Sequence, residues 1–178
     1  NKAKINDDIY VSGNLGDSYM GLLILKNKFK LNNLLSKYFV NQYYMPNIQL
    51  KLAEQIKKFA NTSIDISDGL LTDLDKMINS QNLSYTLDLK KIPISNKLKK
   101  VLNLNKLSKI NYISNGDDYQ VLFTAAKSFR GIISKISSNN HIKLTKIGSI
   151  QNISKKSSLI NDKNKTISLK NKGYFHRF

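Results

Sequence analysis

The sequence has no cysteine, no tryptophan, two prolines and two histidines, His141 and His176, in 178 residues. Without cysteine there is no disulfide framework, no thiolate nucleophile and no cysteine-based metal site. Two histidines leave little room for imidazole chemistry, and a reducing cytoplasm is the default compartment for such a chain. Long apolar runs are absent as well. The longest contains Gly21-Leu22-Leu23-Ile24-Leu25 and is followed closely by Lys26 and Lys28. It falls far short of the roughly 18 residues of a membrane span and is too short for a secretory signal core, so no membrane partner is expected. Yet 40% of the residues are hydrophobic and the mean hydropathy is −0.37. That is enough to fill a core, and residues 1–178 read as one domain with no internal repeat and no linker.

Acidic residues are also scarce, 12 against 29 basic ones, for a formal net charge of +17. Such a charge invites a nucleic-acid reading, but its details weigh against one. Only Arg130 and Arg177 are arginine, and no lysine run exceeds two residues. Lysine, asparagine and isoleucine share A/T-rich codons, so gene composition accounts for the excess. Nucleic-acid binders concentrate arginine and interleave aromatics. Attraction for anionic small molecules is a by-product of the charge in either case.

The apolar pattern interleaves strands and helices. Ile9-Tyr10-Val11 reads as a short strand ended by Gly13, and residues 16–28 as a buried helix opening after a tight turn. Leu52, Ala53, Ile56, Phe59 and Ala60 predict an amphipathic helix entered at Pro46-Asn47; Leu70, Leu71, Leu74, Met77 and Ile78 predict another. Strands are expected at residues 63–66, 83–89, 119–123 and 142–150, with a helix marked by Phe129, Ile132, Ile133 and Ile136. Residues 158–160 and 166–169 resemble a surface hairpin. The expected fold is a three-layer α/β (α+β) domain, a mixed β-sheet with packed helices.

Chemistry concentrates in Ile64-Asp65-Ile66-Ser67-Asp68-Gly69-Leu70-Leu71, a strand turning into a helix. Period-two alternation puts Asp65 and Ser67 on one side. Asp68 follows at the turn, Gly69 permits close backbone approach, and the helix start is expected to offer free N–H groups. Two carboxylates and a hydroxyl there suit a hard cation such as Mg²⁺ holding a polyphosphate. The plainer reading is that Ser67 or Asp68 caps the helix. A second stretch, Ser114-Asn115-Gly116-Asp117-Asp118-Tyr119, could bind metal or a cationic substrate, or be an ordinary loop. Gly13-Asn14-Leu15-Gly16-Asp17-Ser18 looks like a phosphate-cradling turn but fits neither glycine-rich signature. At the end of the chain, Gly173-Tyr174-Phe175-His176-Arg177-Phe178 reads as a docked tail or a pocket wall, with His176 packing rather than catalysing.

Taken in order, these stretches resemble the C-terminal domain of the thiamine-monophosphate kinases, within the aminoimidazole ribonucleotide synthetase-like superfamily. The most distinctive match is Asp65-Ile66-Ser67-Asp68-Gly69-Leu70 with Asp73-Leu74 behind it. Residues 8–18, Ile92-Pro93-Ile94-Ser95, Gly116-Asp117-Asp118-Tyr119 with Leu122-Phe123, Ile147-Gly148 and Gly173-Tyr174 are similar to the family's other segments. The resemblance implies ATP- and Mg²⁺-dependent phosphorylation of thiamine monophosphate to thiamine diphosphate. It implies Mg²⁺ at Asp65 and Asp68, ATP at Ser67, and thiamine-substrate contacts from Asp117 and Tyr174. Three positions depart from the family: Asp117 where glutamate is usual, Gln49 where arginine is usual, and Phe175 where aspartate is expected. The family's N-terminal domain, with most metal-binding aspartates and the homodimer interface, has no counterpart in this chain, which begins Asn1-Lys2 without methionine. The expectation is therefore that the 178 residues alone do not catalyse transfer. A decayed relative without activity, and a basic nucleic-acid-binding domain, are the competing readings.

Overall fold

The computed structural model describes residues 2–79, 81–154, 156–161 and 165–167. Among the described residues seven strands, β1 (Asp8–Ser12), β2 (Ala60–Asp65), β3 (Leu83–Asp88), β4 (Val121–Ala125), β5 (Leu144–Asn152), β6 (Ser158–Ile160) and β7 (Thr166–Ile167), form one sheet. Their order is β2-β4-β1-β5-β3-β6-β7. All neighbours are antiparallel except β3 and β6, so the sheet is mixed as expected. The helices are α1 (Asp17–Leu25), α2 (Asn33–Tyr44), α3 (Leu50–Ile56), α4 (Leu70–Met77), α5 (Asn96–Leu104), α6 (Lys109–Ile113) and α7 (Arg130–Asn139). Among the described residues no helix is long and apolar enough to cross a membrane.

Alternation along the strands sorts the core into two faces. Ile9 and Val11 of β1, Leu122 of β4 and Leu87 of β3 pack with Leu70, Leu71 and Leu74 of α4. Tyr10, Phe123 and Ala125 pack instead with Leu52 and Ile56 of α3 and Ile133 of α7. Helices thus cover both faces, the expected three layers. A third cluster joins Met20 of α1, Phe39 of α2, Leu98, Val101 and Leu102 of α5, and Tyr112 of α6. Complete burial of each such leucine, isoleucine or phenylalanine contributes about 1.5–3 kcal/mol.

Several elements differ from the sequence expectation. α3 ends at Ile56, and Ala53, expected on its apolar face, is exposed. Phe59 N–H closes a tight turn onto Ile56 O at 3.0 Å. Its ring then packs on Phe123 and Phe129 while Ala60 begins β2. β4 starts at Val121, because Tyr119 sits in the left-handed region at φ 49°. The expected helix at 129–136 is α7, but Ile132 on it is exposed. α2, α5 and α6 were not anticipated. The hairpin survives as β6 paired with β7; Leu169 lies outside the described residues.

Sheet order positions everything that follows. β4 lies between β2 and β1 and runs antiparallel to both. The C-terminal ends of β1 and β2 therefore meet the N-terminal start of β4 at one end of the sheet.

Candidate active site

All three polar turns singled out in the sequence converge at that end. The β2–β4 ladder, with Asp65 opposite Val121, continues past both strands. Ile66 N–H donates to Gln120 O, Tyr119 N–H to Ile66 O and Asp117 N–H to Ser67 O, each at 2.9 Å. Turn 66–69 and turn 114–119 are thus held backbone to backbone. Two glycines make the approach possible: a Cβ on Gly116 would strike the Ser67 carbonyl, and one on Gly69 would strike that of Ser114. Gly69 also takes φ 115°, a conformation that side chains other than glycine's resist. Ser114 Oγ, buried at this junction, has no hydrogen-bond partner among the described residues.

Asp73, one turn into α4 and fully buried, organises the motif. Its Oδ2 accepts from the N–H groups of Ser67, Asp68 and Gly69 at 2.9, 2.9 and 3.0 Å. Its other oxygen accepts from Lys76 Nζ at 3.1 Å, and the same ammonium donates to Asp68. The three N–H groups of the turn leading into the helix are thus bound to a carboxylate of the chain itself. What the turn presents outward is its side chains. Asp65 is exposed at the end of β2, and Ser67 and Asp68 are half-buried. The strand stops at Asp65, so strict alternation does not extend to Ser67.

Asp117 is half-buried across the junction, at φ 66°. Burial raises its carboxyl above the ordinary carboxylate range, and the nearby charge of Asp68 raises it further; Lys26 works the other way. The two motif aspartates, 49 residues apart in sequence, therefore share one electrostatic environment. Among the described residues no group of three or more His, Cys, Asp or Glu side chains is arranged to hold a metal. Tyr174, with Phe175 and His176, lies outside the described residues.

The third turn is held by the second acid of the pair. Asp118, buried, accepts from Gly16 N–H at 2.8 Å. Gly13 N–H is bound to Lys143 O and Leu15 N–H to Pro93 O. The phosphate-cradling reading of residues 13–18 is corrected accordingly, since these donors serve the fold. Burial, helped by the charge of Asp17, pushes the Asp118 carboxyl up to about 8, against the opposing bonds from Gly16 and Ser18. Asp17, also buried, accepts from Ser95 Oγ at 2.7 Å and Tyr38 Oη at 2.8 Å. Burial raises its carboxyl too, with those hydrogen bonds and the charge of Lys97 acting against the rise. Beside these acids lies a polar cavity of about 120 Å³, lined in part by Asp17, Asp118, Gln120, Asn47 and Gln49. Gln49 donates to Asn47 O at 3.3 Å.

Sequence reasoning found Asp65, Ser67, Asp68 and Asp117 as site candidates, and three of them lie on turns that touch. It did not assign roles to Asp73, Lys76, Asp17 or Gln120. The Asp73 signal was present as an acid four residues after a turn glycine, a spacing that carries a carboxylate back over the helix start.

Hard oxygen donors at one end of a sheet, with little nitrogen and no sulfur, suit a divalent cation bound together with phosphate. Comparison with known proteins gives this arrangement relatives. No family model matches the chain. Thiamine-monophosphate kinase from Buchnera aphidicola (Acyrthosiphon pisum) is 34% identical over 176 residues, 98% of this chain and 54% of the relative. The chain thus spans about half the length of the curated relatives it matches. The crystal structure of thiamine-monophosphate kinase from Stenotrophomonas maltophilia superposes with TM-score 0.78 at 28% identity, covering 91% of this chain and 52% of that one. AaThiL complexed with AMPPCP and TMP gives TM-score 0.77 at 28% identity over 98% of this chain and 53% of that one. The hydrogenase maturation protein HypE shares the fold, with TM-score 0.63 at 13% identity over 94% of this chain and 54% of that one. By sequence over nearly its whole length and by the architecture of its sheet and helices, the chain is similar to about half of a thiamine-monophosphate kinase.

Proposed function

We propose that the chain supplies the C-terminal half of an ATP- and Mg²⁺-dependent kinase, which transfers the γ-phosphoryl group of ATP to thiamine monophosphate and releases ADP and thiamine diphosphate. The observation that carries this reading is the junction of turns 66–69 and 114–119, where Asp68 and Asp117 share one field. The relative AaThiL, solved with AMPPCP and TMP, supports the ligand assignment. In this reading Asp65 and Asp68 hold Mg²⁺, Ser67 contacts ATP, and Asp117 and Tyr174 contact the thiamine substrate. The fit to Mg²⁺ rests on the donor chemistry: this ion takes one or two carboxylates and completes its shell with phosphate and water. When bound, it neutralises charge on the transferring phosphates.

The chain's own contribution is positioning. Asp73 fixes the backbone of Ser67, Asp68 and Gly69, so their side chains enter the site at defined places. Lys76 offsets the carboxylate charge gathered there. Asp117, beside Asp68 but on the other turn, is placed to meet the cationic thiazolium end of a thiamine substrate. The remaining residues of such a site come from an N-terminal half, in a cytoplasmic homodimer, and the 178 residues alone do not turn over.

The test is a coupled assay of thiamine diphosphate formation on the longest product of the encoding gene, with Asp68→Asn beside it. The expected result is turnover in the parent and a loss of at least about a hundredfold in the variant. A folded long product with no turnover supports a decayed relative, the reading to which Gln49 in place of arginine points.

A further inference from the structure

Lys76 stands on the last turn of α4, where a lysine ordinarily complements the carbonyl end of the helix dipole. Its side chain runs the other way, back toward the start of the helix, the direction in which helical side chains lean. The ammonium donates to Asp73 Oδ1 at 3.1 Å, one turn earlier, and to Asp68 Oδ2 in the turn before the helix. These two contacts are unequal. The Asp73 side chain has 0% exposure, and its other oxygen is committed to the N–H groups of Ser67, Asp68 and Gly69. It is a fixed anchor. The Asp68 side chain keeps 20% exposure and that of Lys76 47%, and an ion pair so open to water adds little to stability and parts readily.

What the contact governs is what else Asp68 can hold. In the proposed kinase reading, on which this inference rests, Asp68 takes Mg²⁺. The same carboxylate is then sought by two cations, one of them part of the chain. An ammonium and a divalent ion a few ångströms apart repel strongly enough to cost the ion roughly tenfold in affinity, even in water. The acids gathered here account for the chain carrying a cation of its own, since the charge of Asp68 acts on Asp117 across the junction as well.

We infer that Lys76 is a resident competitor for the cation at Asp68, and that the phosphate of a nucleotide relieves the competition by drawing the ammonium off that carboxylate. The tether to Asp73 keeps the freed ammonium beside the site, where an anionic phosphate oxygen is a strong partner for it. A divalent cation alone is thereby disfavoured, and the same cation arriving with phosphate is favoured. One lysine makes the two ligands depend on each other.

The experiment is calorimetric titration of the 178-residue chain, first with free Mn²⁺ and then with the preformed complex of Mn²⁺ and a non-hydrolysable ATP analogue. It is run on the parent, on Lys76→Met, on Lys76→Arg, which keeps the charge, and on Lys58→Met, an equal loss of charge at an exposed position elsewhere. Each is repeated with Asp68→Asn. Lys76→Met should bind free Mn²⁺ about fivefold or more tightly than the parent, and the complex about twofold or more weakly. Lys76→Arg and Lys58→Met should stay within about twofold of the parent for both ligands. A merely structural lysine would move the two affinities in the same direction. That outcome, an unchanged or weakened affinity of Lys76→Met for free Mn²⁺, or no Mn²⁺ binding by either the parent or Lys76→Met would overturn the competition. The kinase reading fails separately, and the inference with it, if Mn²⁺ binding is indifferent to Asp68→Asn.

Discussion

Two buried aspartates, Asp8 and Asp118, sit on the same sheet and have opposite fates. Asp8 opens β1 and is fully buried, with Arg130 Nη2 on its Oδ1 at 2.9 Å and Lys146 Nζ on the same oxygen at 2.7 Å. Burial alone would raise its carboxyl, but the bonds and charges of Arg130 and Lys146 outweigh burial and hold it below the usual range. Asp118, at the entry to β4, has only neutral donors and a second carboxyl, Asp17, for company, and burial carries it up to about 8. The first is an ion-paired brace whose charge is answered locally. The second is a carboxyl kept out of water without a cation, an arrangement that proteins tend to concentrate at functional ends. Asp73 is the intermediate case, answered by three N–H dipoles and one lysine.

Asp73 gives the largest expected effect. Asp73→Ala leaves three N–H groups of the turn without their acceptor and should lower unfolding stability by about 3–5 kcal/mol, read from urea midpoints. Asp73→Asn keeps an acceptor and should lose less. Next comes Gly116→Ala, which drives a methyl into the Ser67 carbonyl. We expect a cost of about 2–3 kcal/mol and loss of the Asp68–Asp117 coupling, visible as a lower titration midpoint for Asp117 by NMR.

The two aspartates of the comparison differ in the sign of their pH dependence. Asp118 is raised in the folded state, so its contribution to stability is complete below an unfolded carboxyl value of about 4 and is lost as pH rises through about 8. Asp118→Asn should flatten that decline in urea midpoints measured between the two values. Asp8 is lowered, so its contribution is present above about 4 and is lost as pH falls through its lower folded value. The deficit of Asp8→Asn relative to the parent should therefore be largest at neutral pH and shrink in acid. Parallel pH profiles for the two variants would break the contrast.

Much of this was legible in the sequence, for reasons that can be named. α4 shows Leu70, Leu71, Leu74 and Met77 on one stripe and was read almost to the residue. β3 alternates cleanly from Leu83 to Asp88. α5 carries Leu98, Val101 and Leu102 behind a Ser95 cap that accepts Leu98 N–H at 3.0 Å, but asparagines and lysines fill five of its nine positions. α3 was overextended because Phe59 and Ala60 continue its spacing, while tertiary packing on Phe123 turns the chain into β2 instead. At the site, glycine–aspartate turns announce themselves. The spacing of Asp73 from Gly69 marks it locally as the acid that satisfies backbone, whereas the burial of Asp118 next to half-buried Asp117 comes from the distant turn at Gly16, which no local pattern shows.

The most direct measurement is paramagnetic broadening of backbone amide signals of the isotope-labelled chain by Mn²⁺, with and without a non-hydrolysable ATP analogue. If turns 66–69 and 114–119 form one cation-and-phosphate site, amides of both turns should broaden together at low metal, and Asp68→Asn should abolish the effect in both. Broadening centred elsewhere, confined to one turn, or unchanged in Asp68→Asn would contradict the shared site.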